Sequence, residues 1–466
     1  MLKTGVPSVV AVLVALALAG CGSSGKQGAG VTTTPVTSTQ PVASASSLHV
    51  SVVDGDTGIP LANATVVILQ ESARTNAAGK AELALPRRAR FNIQTTARGY
   101  LPGRLDLRRL PERPYTVELY RRDLQWPFYG VGPERQQTQL SIALRPPFRI
   151  EWSRGLGTLV EFPPVVWEGT AYVNNNGGYL YALSMKDGHT IWFRRVGHGI
   201  ASSPAVDPQA PQLLVTTMNP GNAQVIDRAT GRTLWTYPTG TTEASPVIVG
   251  HIGYLAATNG KVYALDIARR RLRWSFDDGA KTTGSPTLVG NYLFVGNYAG
   301  RTVALDANTG KLLWSHYGGP HIYGTIAYAN GRLFVPSVET GLTALDASSG
   351  AEIWHLPAGA YLYSAPAVYR GRVYFADYSG RVTCADAATG KVLWTAFVPG
   401  KVSGAVEVVA GVLYVGSFGG RISGFDAATG KQLLTFPDGQ YVPVSGNAGR
   451  LLFDGYSRIF AVVPKY

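Results

Sequence analysis

The chain has 466 residues, a formal net charge of +13, 45% hydrophobic residues, 55 Gly, 29 Pro and two Cys. That length accommodates two domains, and so much Gly and Pro is what many hairpins demand, while the positive balance implies solubility and attraction to negative surfaces and nothing more specific. With one cysteine at the N-terminus and the other, Cys384, alone in a strand pattern, an internal disulfide is excluded and Cys384 is expected to be inert.

Residues 1–20 carry Lys3 in a short n-region and an apolar core from Val9 to Ala19, too short to span a bilayer comfortably, followed by Leu18-Ala19-Gly20-Cys21. The motif resembles a bacterial lipobox, which implies cleavage before Cys21 and a lipid on its thiol. The other reading is an ordinary secretory signal with a chance cysteine; the tether after it favours the anchor. Residues 21–47 hold the cysteine and a Gly/Ser/Thr/Pro-rich stretch whose only charge is Lys26, the composition of a stalk that cannot bury enough surface to order itself.

A small all-β unit is expected at 48–121. Leu48–Val53, Ala64–Leu69, Ala81–Leu85, Phe91–Thr95 and Tyr115–Leu119 alternate or cluster apolar residues between turn signals. The runs Asp54 to Val66, Thr75 to Gly79 and Ala97 to Tyr100 (D-x-x-T-G-x-P-L-x-N-A-x-V, T-N-A-x-G, A-R-G-Y) resemble the carboxypeptidase regulatory-like, transthyretin-type β-sandwich, a non-catalytic family. From Leu48 to Arg122 there are 12 Lys or Arg against 7 Asp or Glu, with Arg87, Arg88, Arg90, Arg108, Arg109, Arg121 and Arg122 in clusters. These read either as a solvated face or as contact with anionic lipid or an acidic partner. No nucleic-acid recognition motif is present.

The remainder, 122–466, opens with a strap of little periodicity, Leu124 to Pro147, expected to pack against the folded residues beyond it. The centre of this region is a repeat. Pro286 to Trp314 contains four short apolar runs separated by Gly, Asn or Asp, and the turn Asp306-Ala307-Asn308-Thr309-Gly310 has an acid to accept backbone N–H groups and a glycine able to take positive φ. Trp152, Trp192, Trp235, Trp274, Trp314, Trp354 and Trp394 succeed one another at 40, 43, 39, 40, 40 and 40 residues, and Leu434 lies another 40 on. A four-strand unit of this length is a propeller blade. Seven full units run from about Pro163 to Leu434; Asn447 to Val463 supplies an eighth lacking its outer strand, and Phe148–Trp152 supplies that strand from upstream. The expected fold is therefore all-β: an eight-bladed propeller of four-stranded blades closed by an N-terminal strand, preceded by a small β-sandwich.

The signature A-L-D-A-x-T-G-K-x-L-W, at Ala304 to Trp314 and again near Ala385 to Trp394, resembles the pyrrolo-quinoline quinone (PQQ) repeat with its tryptophan-docking motif. That superfamily includes quinoprotein dehydrogenases and non-catalytic lipoproteins similar to the propeller subunit of the outer-membrane barrel-assembly machine. The resemblance implies docking roles for the seven tryptophans. In its dehydrogenases the quinone lies between a Trp floor and a vicinal Cys-Cys disulfide, beside Ca²⁺ and a catalytic Asp.

This chain has no Cys-Cys pair, and every propeller Trp from Trp192 onward belongs to the repeat. Glu339 and Asp377 are too few to make a calcium site, and His316 and His321 lack a third ligand. The expectation is a non-catalytic scaffold with no catalytic residue, no metal and no cofactor, PQQ with Ca²⁺ included; the runner-up is a PQQ-dependent dehydrogenase or a propeller that retains a quinone or carbohydrate site. Loops between the second and third strands of each blade share a face with the inter-blade links. On that face Asn175, Tyr298, Tyr317, His321, Tyr323, Tyr361, Tyr363, Tyr378 and Phe418 form a candidate partner-binding cluster, the alternative for any one ring being a plug between blades. The expected partner is an envelope protein or peptide, with membrane contact through the Cys21 lipid at the plasma-membrane outer leaflet or the outer membrane. The protein is expected to be monomeric apart from that partner.

Overall fold

The computed structural model describes residues 46–85, 91–107 and 114–465. The signal segment, Cys21, most of the stalk, and Arg87, Arg88, Arg90, Arg108 and Arg109 lie outside the described residues.

Residues 46–119 form two sheets. One has strand order Lys80–Leu85, Ser46–Asp54, Tyr115–Leu119, the last pair parallel; the other has order Glu71–Arg74, Thr65–Ile68, Phe91–Thr96, Gly103–Leu107. Leu48, Val50, Val52, Val66, Ile68, Ile93, Val117 and Leu119 fill the space between them. The strands Glu71–Arg74 and Gly103–Leu107 had no apolar run to announce them because they are edge strands of the second sheet. The turn motifs hold the unit together. Asp54 Oδ1 accepts from the Asp56 and Thr57 amides and the Thr57 hydroxyl, while the Tyr100 hydroxyl donates to its Oδ2 at 2.9 Å. Asn447 Nδ2 donates to Asp56 Oδ1 at 2.7 Å, and Lys186 pairs with Glu118, so this unit is fastened to the propeller. Burial and the Asp54 charge raise the Asp56 carboxyl to about 7.

Eight sheets follow around a ring, as the repeat predicts. Blades 1 to 7 take consecutive quartets of strands from Val165–Trp167 to Gln432–Phe436. In blade 8, Val444–Gly446, Leu451–Asp454 and Arg458–Pro464 are completed by Phe148–Gly155, antiparallel to the last of them. An early strand thus seals a late sheet, which removes the open edge.

The recurring turn has two linked reasons for its residues. In the Asp306 turn the carboxylate accepts from the Asn308 and Thr309 amides and the Thr309 hydroxyl at 2.8–3.0 Å. The same pattern recurs at Asp346, Asp386 and Asp426. Gly310 sits at φ +73°, and a Cβ there would lie 2.6 Å from the ring of Trp274, which covers the turn from the preceding blade. The Trp274 indole N–H donates to Ala307 O at 2.9 Å. Trp152, Trp192, Trp314, Trp354 and Trp394 dock in the same way on the blade after their own, at 3.1–3.2 Å.

The two exceptions obey the same geometry. In the blade after Trp235 the turn carries Arg270, at φ +55°, where its siblings have Gly, and among the described residues the Trp235 indole N–H makes no such bond. Leu434 replaces Trp because blade 8 has no turn between its third and fourth strands: those strands end at Pro464 and begin at Phe148.

The strap is the least regular segment and has the most far-reaching contacts. It runs around the inside of the ring, and its backbone bonds the innermost strands in succession. Trp126 exchanges hydrogen bonds with Val166 of blade 1, and Pro127 O accepts from Val206 of blade 2. Pro133, Glu134, Gln136 and Gln137 carbonyls accept from Leu288, Tyr328, Val368 and Val408 of blades 4 to 7 at 2.9 Å. Thr138–Gln139 then adds a fifth, parallel strand to blade 7, a departure from the four-stranded expectation. Blade 3 is reached by a side chain. Arg135, fully buried, donates to Ser245 O and Pro246 O from Nη2, to Pro286 O from Nε, and to Tyr129 O from Nη1.

Blade 7 also buries an acid. Glu407 is inaccessible, accepts from the Val444 amide at 3.0 Å, and is pushed well above its ordinary 4.5 by burial and then by the nearby Asp454. Such an acid keeps its proton in the folded protein while the unfolded chain releases it. Its contribution to folding is therefore full below about 4.5 and is lost as pH rises toward the folded value. Glu407→Gln is expected to flatten the decline of stability between pH 5 and pH 8, with little change at pH 4.5. Denaturant titrations at the three pH values measure this, and parallel curves for both proteins would contradict it.

Candidate functional site

One position in each of the eight inter-blade links points at the mouth of the ring. Going round, these are Glu161, Ala201, Glu243, Thr283, Tyr323, Tyr363, Ser403 and Tyr441, and all of them line one cavity of about 310 Å³. One layer deeper, small polar residues tie neighbouring links together. The Ser203 amide donates to Ser245 Oγ, the Ser245 amide to Ser285 Oγ and the Ser285 amide to Thr325 Oγ1, at 2.9–3.1 Å. The strap forms the floor, where Tyr129 packs edge-on to Phe162 at 5.3 Å between centroids. Arg135 fixes that floor from beneath by holding the Tyr129 carbonyl.

The lining is two-sided. From blade 4 to blade 8 it is an unbroken arc of rings: Tyr298 to Tyr323 at 6.1 Å, Tyr323 to Tyr363 at 5.4 Å, Tyr363 to Tyr378 at 5.2 Å, Tyr378 to Phe418 at 6.3 Å and Phe418 to Tyr441 at 5.2 Å, all edge to face. Edge-to-face packing is the arrangement favoured by the ring quadrupole. The other side carries Glu161 and Glu243. Glu243 lies 3.7 Å from Lys281, whereas Glu161 has no cationic partner among the described residues. Burial, and then the Glu243 charge, raise the Glu161 carboxyl to about 7. Burial likewise pushes the Tyr323 and Tyr441 hydroxyls up, with Glu161 adding to both. Two lysines rest on the arc from outside, Lys281 Nζ 4.8 Å from the Tyr298 centroid and Lys401 Nζ 4.6 Å from that of Tyr378.

Of the nine sequence-derived face residues, the structure brings seven together. Tyr298, Tyr323, Tyr363, Tyr378 and Phe418 are in the arc; His321 packs against Tyr298 at 5.6 Å, and Tyr361, 53% exposed, against Tyr363 at 6.2 Å. Tyr317 ends an outer strand and is 68% exposed, outside the arc. Asn175 is 2% exposed and tied down, its amide donating to Leu156 O of the preceding link and accepting from the Tyr179 amide of its own loop. Glu161, Glu243 and Tyr441 were missed. They fall at the repeat position of Tyr323 and Tyr363, so reading that register around all the links finds them.

The lining does not fit the quinone clamp of the dehydrogenases. Its floor is Tyr129 and Phe162 rather than Trp, and Cys384 is buried within blade 6, its thiol pushed up to about 11 by burial. Asp377 holds its own loop, accepting from Gly359, Ser379 and Arg381, while Glu339 accepts from the His321 ring. No group of three metal-ligating side chains occurs among the described residues.

No curated protein sequence matches the chain. Among solved structures, BamB from Moraxella catarrhalis matches with TM-score 0.59 at 17% identity, covering 68% of this chain and 99% of that one. Quinohemoprotein alcohol dehydrogenase from Comamonas testosteroni matches with TM-score 0.61 at 16% identity over 73% and 80%, and a europium-containing methanol dehydrogenase with TM-score 0.63 at 14% over 73% and 98%. Likeness at such identities shows the shared propeller fold and no activity. The family described as outer membrane protein assembly factor BamB matches residues 138–316, 303–378 and 367–458. With most of the chain inside that match and eight sheets of PQQ-like repeats closed into a ring, the protein belongs to the BamB family of β-propellers.

Proposed function

We propose that the protein is a non-catalytic cell-envelope scaffold, held to a bacterial membrane through a lipid on Cys21, whose propeller binds a protein or peptide at the face carrying the aromatic arc. The observation that carries the reading is the arc itself: half-buried tyrosines joined edge to face around a concave mouth offer large contact area with polar tips. The family's description as an outer membrane protein assembly factor supports envelope protein assembly as the process. Among the described residues no helix is long and apolar enough to cross a membrane. PQQ and Ca²⁺ have no part in this reading, because the residues at the mouth do not make the clamp.

The test is cross-linking in native membranes followed by mass spectrometry of what accompanies the acylated protein. A reproducible envelope protein in near-stoichiometric amount is expected. Tyr361→Ala with Tyr363→Ala is expected to leave the melting temperature nearly unchanged and to weaken that recovery severalfold. Undiminished recovery would remove the arc as the docking face, and recovery of nothing but lipid would count against the scaffold.

A further inference from the structure

The mouth of the ring is more selective than an aromatic docking face requires. In a closed ring of eight links, positions four blades apart face one another, so Glu161 lies across the mouth from Tyr323 and beside Tyr441. A carboxylate that shares a cavity of about 310 Å³ with an arc of aromatic rings, and lies within electrostatic reach of the Tyr323 and Tyr441 hydroxyls, has the chemistry of a site for an organic cation. The chain itself shows that ammonium groups suit these rings, with Lys281 and Lys401 on Tyr298 and Tyr378. Those two lysines stay at the rim, and Lys281 is engaged by Glu243. The inner acid, Glu161, is left without a counter-charge among the described residues, although the chain as a whole carries a surplus of +13.

We infer that the funnel mouth binds a primary ammonium group on a flexible stem, with Glu161 as its counter-ion and Tyr323 and Tyr441 as its walls. A lysine side chain on a peptide and a free alkylamine share this chemistry. The site goes beyond the scaffold reading and does not depend on it. Its occupation has a proton signature. Burial raises the empty-site Glu161 carboxyl to about 7, so a cation must displace a proton from part of the population, and affinity should rise from pH 6 to pH 8.

The experiment is calorimetric titration of the full-length protein in detergent with Nα-acetyl-lysine methylamide, n-pentylamine and the uncharged Nα-acetyl-norleucine methylamide. The lysine derivative is expected to bind about tenfold more tightly than its norleucine counterpart, the scale of a desolvated cation held by a carboxylate among aromatic rings. Its heat should vary with buffer ionisation enthalpy near pH 7. Pentylamine binding as tightly as the lysine derivative would assign the site to free amines; a clear preference for the lysine derivative would assign it to peptides.

Glu161→Gln keeps the side-chain volume and should lower affinity about tenfold and abolish the pH dependence, and Tyr441→Leu should weaken binding by a separate route. Equal binding of the norleucine compound, full affinity in Glu161→Gln, or no binding of either amine would overturn the inference. Membrane cross-linking with Glu161→Gln separates the two readings. Partner recovery that persists while amine binding is lost leaves the pocket standing as a site apart from the scaffold's contact. Loss of recovery with amine binding intact counts against Glu161 as the ammonium's counter-ion.

Discussion

Arg135→Met is expected to destabilise the protein by on the order of 4 kcal/mol, more than most single changes outside the apolar core. The wild-type guanidinium is fully buried and gives its donors to four carbonyls, those of Tyr129, Ser245, Pro246 and Pro286. Methionine fills similar volume but leaves those carbonyls without a partner in a place water does not reach. No carboxylate balances the charge among these partners, and burial lowers the Arg135 pKa to about 9, which still leaves it ionised at neutral pH. Arg135→Lys is the discriminating control. An ammonium is a compact donor that cannot fork toward blades 3 and 4 and the strap at once, so it should recover only part of the loss, about 2 kcal/mol. Urea titration gives both values, and limited proteolysis should show new cuts within 126–139 in the methionine variant. A loss below about 1 kcal/mol for Arg135→Met would mean that the backbone bonds of the strap suffice to hold it.

Trp274→Ala should cost roughly 3–5 kcal/mol, while Trp235→Ala should cost distinctly less. Trp274 is 8% exposed, covers Gly310 and donates to Ala307 O at 2.9 Å, so its removal opens a cavity between blades and leaves that turn carbonyl with only the Tyr254 hydroxyl, at 3.2 Å. Trp235 occupies the same place in its blade, but the turn of the next blade carries Arg270 where its siblings have glycine, and no indole hydrogen bond reaches that turn among the described residues. The difference between the two variants reports the turn geometry together with the deeper burial of Trp274, since Trp235 is only half-buried. Gly310→Ala adds a Cβ at positive φ and 2.6 Å from the Trp274 ring, so it should be destabilising in wild type and milder in Trp274→Ala, a coupling that a double-mutant cycle reads directly. Equal losses for Trp235 and Trp274 would refute the argument from the turn glycine.

Much of the ring was legible in the chain because its determinants are local and repeated. An acid and a glycine in a five-residue turn, followed by a strand ending in Trp, set the period, and the missing last strand near the C-terminus called for Phe148–Trp152 to close blade 8. Even Leu434 carried information, since only the sealed blade lacks a turn for an indole to cover. The aromatic cluster was partly visible for the same reason: Tyr323 and Tyr363 recur in register, and Tyr298 and Tyr378 in the inner loops.

What local pattern could not carry was decided by closure of the ring. The strap has no periodicity because each of its residues answers to a different blade, and Arg135 finds acceptors 110, 111 and 151 positions away. Nothing in the run Glu134-Arg135-Gln136-Gln137 distinguishes a buried plug from a solvated loop until eight sheets surround it. Glu161 and Glu243, read along the chain, are ordinary exposed acids. Only the circular arrangement sets Glu161 across from Tyr323 in a confined, partly dry mouth, where desolvation changes its charge and gives it something to bind. Asn175 shows the converse, a polar residue on the right face whose amide is consumed by Leu156 O of the preceding link and by the Tyr179 amide of its own loop. The sequence by itself determined the blade, the count and the manner of closure, because hydrogen bonding and packing within each repeat are short-range. The tertiary structure decided which side chains face the axis together, because that depends on distances across the ring.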